Sequence, residues 1–528
     1  MSRTRTVAIA SPSVTDPMEL RHRVRQRSRC QWVRAEADKG QPPTAGRQSR
    51  WNRVTSPIPA KPECSGPARQ ALIRIQGRAL PNGNHATPYL ASARGPNPRL
   101  PTFALSKPRH PFQAKQPAPT GTQAEIPFAV RMKIAFPYPG YWPYVRRGIE
   151  RCIHDVAGHM AERGHEVHVI TSTPGRPRVA FDGAVKVTYV RQFSHPLVYG
   201  YMPRLRRLAF AAEASRILAA DRADVAHLWN YSLPWAPITR RWLDLPYVFQ
   251  VGLRGSRLPS GQTRRPLRRL GTIDIRRADR VVALTPGGAA EVRSKFGVEC
   301  GVLAPPVDMR LFRPVAARRD RPEVLFTSDL ADPLKGGRLL LRAWNAIHQQ
   351  CPEAVLVVAG PYGLAGYSQL PIAMAESAVR ELVSPSARDS VELRGPGSIE
   401  GLPAWYSQAS VTVLPSIGEA FGMVLTESLA CGTPVVSSSG EGPGEIVTNP
   451  DVGRTVELLT RSDLESDRRA QQLADAVLST IELSRTPGVV AHCREWASRW
   501  SLDKIGFDEE RMLQEVIDGH RVGRRAVA

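Results

Sequence analysis

The sequence has no paired cysteines. Its seven, Cys30, Cys64, Cys152, Cys300, Cys351, Cys431 and Cys493, are scattered and odd in number, and none falls at metal-ligand spacing. That argues against a disulfide-stapled fold and points to a reducing, cytoplasmic compartment. Long hydrophobic runs are missing as well. AVLVVAG (354–360) is far too short to span a bilayer, and no apolar run of secretory-signal length follows the first residues. Acidic residues are scarce in the first quarter. Residues 1–131 hold 22 Lys/Arg against 6 Asp/Glu, a net +16 out of the chain's +24, together with 18 of its 47 prolines. With no sustained period and few apolar clusters, such a segment cannot bury enough surface to offset its ordering entropy. We therefore expect 1–131 to be a disordered, basic, proline-rich extension, too proline-dense for one amphipathic transit helix. Met132, followed at once by Lys-Ile-Ala-Phe-Pro, is the expected true start. The alternative is a functional tail that binds nucleic acid or anionic lipid.

At 528 residues the chain is long enough for two or three domains. From Met132, short apolar runs alternate with helical patterns: KIAFPYP, EVHVIT, VKVTYV, DVAHLW, YVFQVG, RVVALT and GVLAPP are strands, and Ile149, Cys152, Ile153, Val156 and Met160 mark one buried helix face. This alternation predicts a doubly wound α/β domain over 132–305. A proline- and arginine-rich linker spans 306–322. A second domain of the same kind, with strands VLFTS, AVLVVAG, VELRG and VTVLPS, runs over 323–485. Over 486–520, Trp496, Trp500, Ile505, Phe507, Met512 and Val516 mark terminal helices. Ligands of such sheets bind at the carboxyl ends of the strands, where Gly148 opens a helix and lets a phosphate approach the backbone.

PSIGEAFGMVLTESLACGTPVV (415–436) is the most informative stretch. It reads as a strand end, a loop, a helix from about Ala420 to Gly432 and a buried strand. The first amides, around Phe421 to Met423, lack intrahelical partners and make an anion site reinforced by the helix dipole. Glu419 stands at that end and Glu427 eight residues on, roughly 12 Å along a helix. A diphosphate fits at the amides, with a carboxylate for hydroxyls on either side.

With Pro415-Ser416, Phe421-Gly422 and Ala430 to Pro434, the segment resembles the donor-site signature of the retaining glycosyltransferases of family 4; the order RRGIE, helix, ERGHEVHVIT resembles their opening. The resemblance covers 132 to about 515. It implies the GT-B fold, two Rossmann-like domains facing each other across a cleft, with the terminal helices crossing back to the first domain. It implies transfer of a hexose-type sugar, with retention, from a nucleoside diphosphate sugar to an acceptor hydroxyl. Glu427 would hold the ribose hydroxyls and Glu419 those of the sugar. Lys335, Gly148 and the backbone at Ala420, Phe421, Gly422 and Met423 would face the diphosphate, so that Lys335 and Glu419 are the candidate catalytic residues. No metal and no cofactor beyond the donor is expected, since lysine and helix dipole supply the positive charge.

Three positions depart from the family pattern. Arg147 replaces a glycine, Gly252 stands where many members have a histidine, and Asp329 stands where an arginine usually partners Lys335. Arg338, Arg394 and Arg147 are the candidates for the missing second cation. Arg254 and Arg257 are read as contacts for an anionic acceptor or as solvated arginines. The basic stretches 204–210 and 264–280 are read either as an ordinary arginine-rich surface or as a means to dock at the inner face of an anionic membrane. The acceptor is a glycan, lipid or small molecule, in cell-envelope polysaccharide, glycolipid or other glycoconjugate synthesis. Two other classes stay open: a catalytically decayed nucleotide-sugar-binding protein, motivated by Asp329 and Gly252, and a nucleic-acid binder, motivated by the charge but lacking any nucleic-acid motif.

Overall fold

The computed structural model describes residues 130–527 apart from 146, 174, 192–202, 230–243, 253–274, 316–319, 331, 361–371, 396 and 441. The extension up to residue 129, Arg254, Arg257 and most of the basic stretch 264–280 lie outside the described residues.

In the first domain the strands are β1 (Lys133–Pro137), β2 (Glu166–Thr173), β3 (Arg178–Asp182), β4 (Val185–Arg191), β5 (Val225–Trp229), β6 (Tyr247–Val251), β7 (Arg280–Ala283) and β8 (Gly301–Val302). They form one sheet in the order β3-β4-β2-β1-β5-β6-β7-β8. The helices here are α1 (Gly148–Glu162), α2 (Pro203–Asp221) and α3 (Pro286–Phe296). In the second domain β9 (Glu323–Phe326), β10 (Val355–Ala359), β11 (Val391–Arg394), β12 (Val411–Leu414), β13 (Val435–Ser438) and β14 (Gly453–Val456) form a sheet in the order β11-β10-β9-β12-β13-β14. Its helices are α4 (Gly337–Gln350), α5 (Ile372–Leu382), α6 (Leu402–Gln408), α7 (Met423–Ala430), α8 (Pro443–Ile446) and α9 (Asp467–Ser484). Then come α10 (Val489–Ala497) and α11 (Leu502–Val527).

All pairs are parallel except β3–β4. The sequence gives no sign of β3, because both its faces are largely exposed and carry no alternation. Strands such as β5, β6 and β10 are buried along their whole length, as helices on both faces require.

In each sheet the winding reverses once, between β1 and β5 in the first and between β9 and β12 in the second. The crevice at such a switch point is where open α/β sheets bind ligands. The linker and tail tie the two halves together. The Val307 amide donates to the Trp500 carbonyl (2.7 Å), the Leu502 amide donates to the Val307 carbonyl (2.9 Å), and Phe312 is fully buried. The chain then returns to the first sheet through α11, where Glu510 meets His165 Nε2 (3.0 Å) and Glu509 meets His227 Nδ1 (2.7 Å). Phe507, among the residues that mark this helix in the sequence, is exposed (46%).

One glycine fixes the loop geometry of the second switch point. Gly336 has φ 73°, and a Cβ there would stand 2.0 Å from the Pro415 carbonyl oxygen. The Ile417 amide donates to the Leu334 carbonyl beside it (2.8 Å). These contacts hold the loop carrying Lys335 against the loop carrying Glu419. Gly336→Ala must strain the backbone and part the loops, and is expected to cost about 1–3 kcal/mol or more in a denaturant melt. An unchanged midpoint would contradict that close approach.

Candidate active site

A cavity of about 200 Å³ lies where the two switch points face each other. From the first domain it takes Gly148 at the start of α1, Trp229 at the end of β5, Gly252 after β6 and Leu284 after β7. From the second it takes Ser328 and Lys335, after β9, and the run Glu419 to Val424, after β12. Among the lining residues Lys335 and Glu419 bear the charge, and the lysine ammonium donates to Glu419 Oε2.

The helix that follows begins later than the sequence suggests. Its first residue is Met423, and Gly422 before it has φ 110° and ψ 58°, a left-handed turn that a residue with a Cβ adopts poorly. Ala420 and Phe421 therefore belong to the loop, and the helix's first free amides are those of Met423 and Val424. Phe421 packs edge-on against Trp500, with ring centroids 6.2 Å apart, pinning the loop to the segment between α10 and α11.

Two helix N-termini, one per domain, converge here. A Cβ added at Gly148 would stand 3.4 Å from Met423 Sδ. The ends of α1 and α7 thus meet across the cavity, each presenting unpaired amides and the positive end of a helix dipole.

Beneath the cavity a buried chain joins four elements. Gln250 Nε2 donates to the Leu303 carbonyl (2.8 Å), which leaves its Oε1 to accept from His227 Nε2–H (3.1 Å). The other ring nitrogen of His227 meets Glu509. The His227 ring stacks on Trp229, with centroids 5.5 Å apart, so the network braces the cavity wall. Sequence reasoning missed it because its members lie up to 282 residues apart.

The three candidates for a second cation lie away from the cavity lining. Arg338, on the first turn of α4, pairs with Glu381 and does not line the cavity. Arg394, at the edge of the sheet, pairs with Glu392 (2.6 Å) and lies 3.7 Å from Glu323. Neither stands in for the cation absent at Asp329. Arg147, the third candidate, is the exposed N-cap residue of α1 and does not line the cavity either.

Glu427 stands apart from the other donor-site candidates. It lies one turn beyond Met423 on the face of α7 that meets α1, outside the cavity lining, and it is buried. Arg151 Nη1 donates to its Oε1 (2.8 Å) and the Tyr406 hydroxyl to its Oε2 (2.8 Å). Burial pushes the Glu427 carboxyl up, with Arg151 and Tyr406 opposing, and burial keeps the Tyr406 phenol protonated as a donor.

Among the described residues no group of three or more His, Cys, Asp or Glu is placed to hold a metal, and no helix is long and apolar enough to cross a membrane.

Comparison with known proteins agrees with this architecture. The family description "Glycosyltransferase Family 4" matches residues 146–311, and "Glycosyl transferases group 1" matches residues 321–482. A D-inositol 3-phosphate glycosyltransferase of Thermobispora bispora is 30% identical over 56% of this chain and 74% of its own. One from Arthrobacter sp. is 28% identical over 71% of this chain and 92% of its own. Among solved structures, sucrose-phosphate synthase from Thermosynechococcus elongatus superposes with a TM-score of 0.60 at 20% identity, covering 74% of this chain and all of that one. Anabaena HepE in complex with UDP-glucose does so with a TM-score of 0.54 at 18% identity, again over 74% of this chain and all of that one. The chain belongs to the family 4 glycosyltransferases, and its two facing domains are those of the GT-B fold.

Proposed function

We propose that this glycosyltransferase moves a hexose-type sugar from a nucleoside diphosphate sugar to an acceptor hydroxyl, with retention at the anomeric carbon. The observation that carries the reading is the convergence of two helix N-termini and Lys335 on one cavity at the two switch points. The diphosphate lies at the amides of Gly148, Met423 and Val424. Its charge takes over Lys335 from Glu419, freeing that carboxylate for hydroxyls of the sugar. The α1 N-terminus supplies positive charge where Asp329 offers none, and the donor needs no metal ion at its phosphates.

In this account bond cleavage builds charge on the leaving diphosphate, and preorganised donors there stabilise the transition state. A double displacement would need a carboxylate against the anomeric carbon. Glu419, once released by Lys335, is better placed for hydroxyls of the sugar than against that carbon. A front-face route therefore fits better, in which the departing diphosphate accepts the acceptor's hydroxyl proton. HepE, a structural relative, is known in complex with UDP-glucose, and sequence relatives carry the name inositol phosphate glycosyltransferase. A UDP-linked hexose and an inositol phosphate are the first donor and acceptor to test. Cell-envelope or other glycoconjugate synthesis, at the inner face of the membrane, is the setting we infer from the resemblance and the basic stretches of the sequence.

The test is NMR of the product formed by the full chain. Transfer with the donor's own anomeric configuration supports the reading, and an inverted linkage contradicts it. Donor binding with neither transfer nor hydrolysis would favour the decayed, binding-only protein that Asp329 and Gly252 motivate.

A further inference from the structure

The two sheets have four edges, and three of them are blunted in ways that keep soluble sheets from pairing. β8 is two residues long, β11 carries Glu392 and Arg394, and β14 carries Arg454. β3 is the exception. Its five residues, Arg-Val-Ala-Phe-Asp, place charge only at the two ends and an apolar run between them. Val179 is 58% exposed and Phe181 71%. Both stand on the same face, beside Thr188 and Lys186 of β4. β3 pairs with β4 alone, so alternate amides and carbonyls along its other edge have no strand partner among the described residues.

The strand is also its own complement. Laid antiparallel on a second copy and centred on Ala180, it sets Arg178 opposite Asp182 twice and Val179 opposite Phe181 twice. Opposed residues in an antiparallel pair share a face, so the two ion pairs lie on one side and four apolar side chains meet on the other. A slip of one residue breaks both charge pairs. Pro177, which has no N–H, precedes the strand, and Gly183, at φ 58°, follows it, so the run ends at both sides. Each copy already holds its charges in place. The Arg178 guanidinium stacks 3.9 Å from the centroid of the Tyr189 ring, and Asp182 Oδ2 accepts from the Tyr141 hydroxyl (3.1 Å). Little further ordering is needed to pair them.

We propose that β3 is a homodimer interface, in which two copies of this chain pair antiparallel about Ala180 and join their first-domain sheets into one. The contact is isologous and closes at two copies, because each chain offers one such edge. It leaves the cavity open, since β4 and β2 stand between β3 and the β1–β5 switch point. Pairing on this edge is independent of the transferase chemistry.

The test is sedimentation of the full-length chain from about 1 to 100 μM, with hydrogen exchange over residues 176–184 at both ends of that range. A five-residue pairing lies at the small end of protein interfaces, so a reversible dimer with a Kd of about 10 μM is expected. Amides within 178–182 should exchange more slowly at the higher concentration. Phe181→Lys changes an exposed side chain that enters the interface twice, and it is expected to weaken association by about tenfold or more. Arg178→Asp and Asp182→Arg each set like charges opposite one another and should weaken it by about tenfold as well. Combined, they restore opposite charges and should bring the Kd back to within about threefold of wild type. A monomer throughout that range overturns the proposal. So does a dimer that Phe181→Lys and both charge reversals leave intact, since it pairs elsewhere. Protection of the 178–182 amides that does not change with concentration overturns it too, because a segment of the same chain then covers the edge.

Discussion

Lys335→Ala is expected to lower kcat/KM for the nucleotide-sugar by about 10²–10³, the usual cost of removing one preorganised donor from a developing oxyanion. The effect should be at the large end, because Asp329 stands where the family resemblance implies a second cation and neither Arg338 nor Arg394 lines the cavity. The loss should fall on kcat more than on KM, since charge on the diphosphate grows as the bond to the sugar breaks. Lys335→Arg keeps the charge but changes its shape and is expected to recover only part of the rate. Steady-state kinetics on the three proteins checks this. A variant within about threefold of wild type would remove Lys335 from the account.

Glu427→Ala is expected to cost about 3 kcal/mol of stability, because it removes the closer of two carboxylates from the Arg151 charge in a site that is 8% exposed on the arginine side and 5% on the glutamate side, leaving Asp155 at 3.4 Å. Tyr406 would lose its acceptor as well. Glu427→Gln, nearly the same shape, is expected to cost less. It also isolates a pH effect. Burial raises the Glu427 carboxyl above its ordinary value of 4.5, so the folded state holds that proton more tightly than the unfolded chain does. The resulting stabilisation is present below 4.5 and is lost as pH rises through the higher folded value. The unfolding midpoint of wild type relative to Glu427→Gln should accordingly fall from about pH 4 upward. A difference that rises over that range would mean that the Arg151 and Tyr406 contacts outweigh burial.

Both sheets were legible in the sequence because their strands are continuous apolar runs between amphipathic helices, a pattern that needs no tertiary information. The exposed edge strand Arg178–Asp182 was not, since it buries neither face. The lysine, Glu419 and the helix N-terminus were legible because one local segment and one loop carry them. Their meeting depends on Gly336 and Gly422, whose unusual backbone angles also shifted the helix start to Met423. Glu427 was legible as a residue but not as a contact. Its partners Arg151 and Tyr406 come 276 and 21 residues away in sequence. One signal was available: Arg151 lies next to Cys152 and Ile153, on the stripe that buries α1, where an arginine needs a counter-charge.

Sugar transfer by this chain can be followed as nucleoside diphosphate release from UDP-, GDP- and ADP-linked hexoses incubated with the full chain and an inositol phosphate acceptor. Acceptor-stimulated release from one of these donors, lost in Lys335→Ala, is the expected result. Release that ignores Lys335, or tight donor binding with no release under any acceptor, would contradict it.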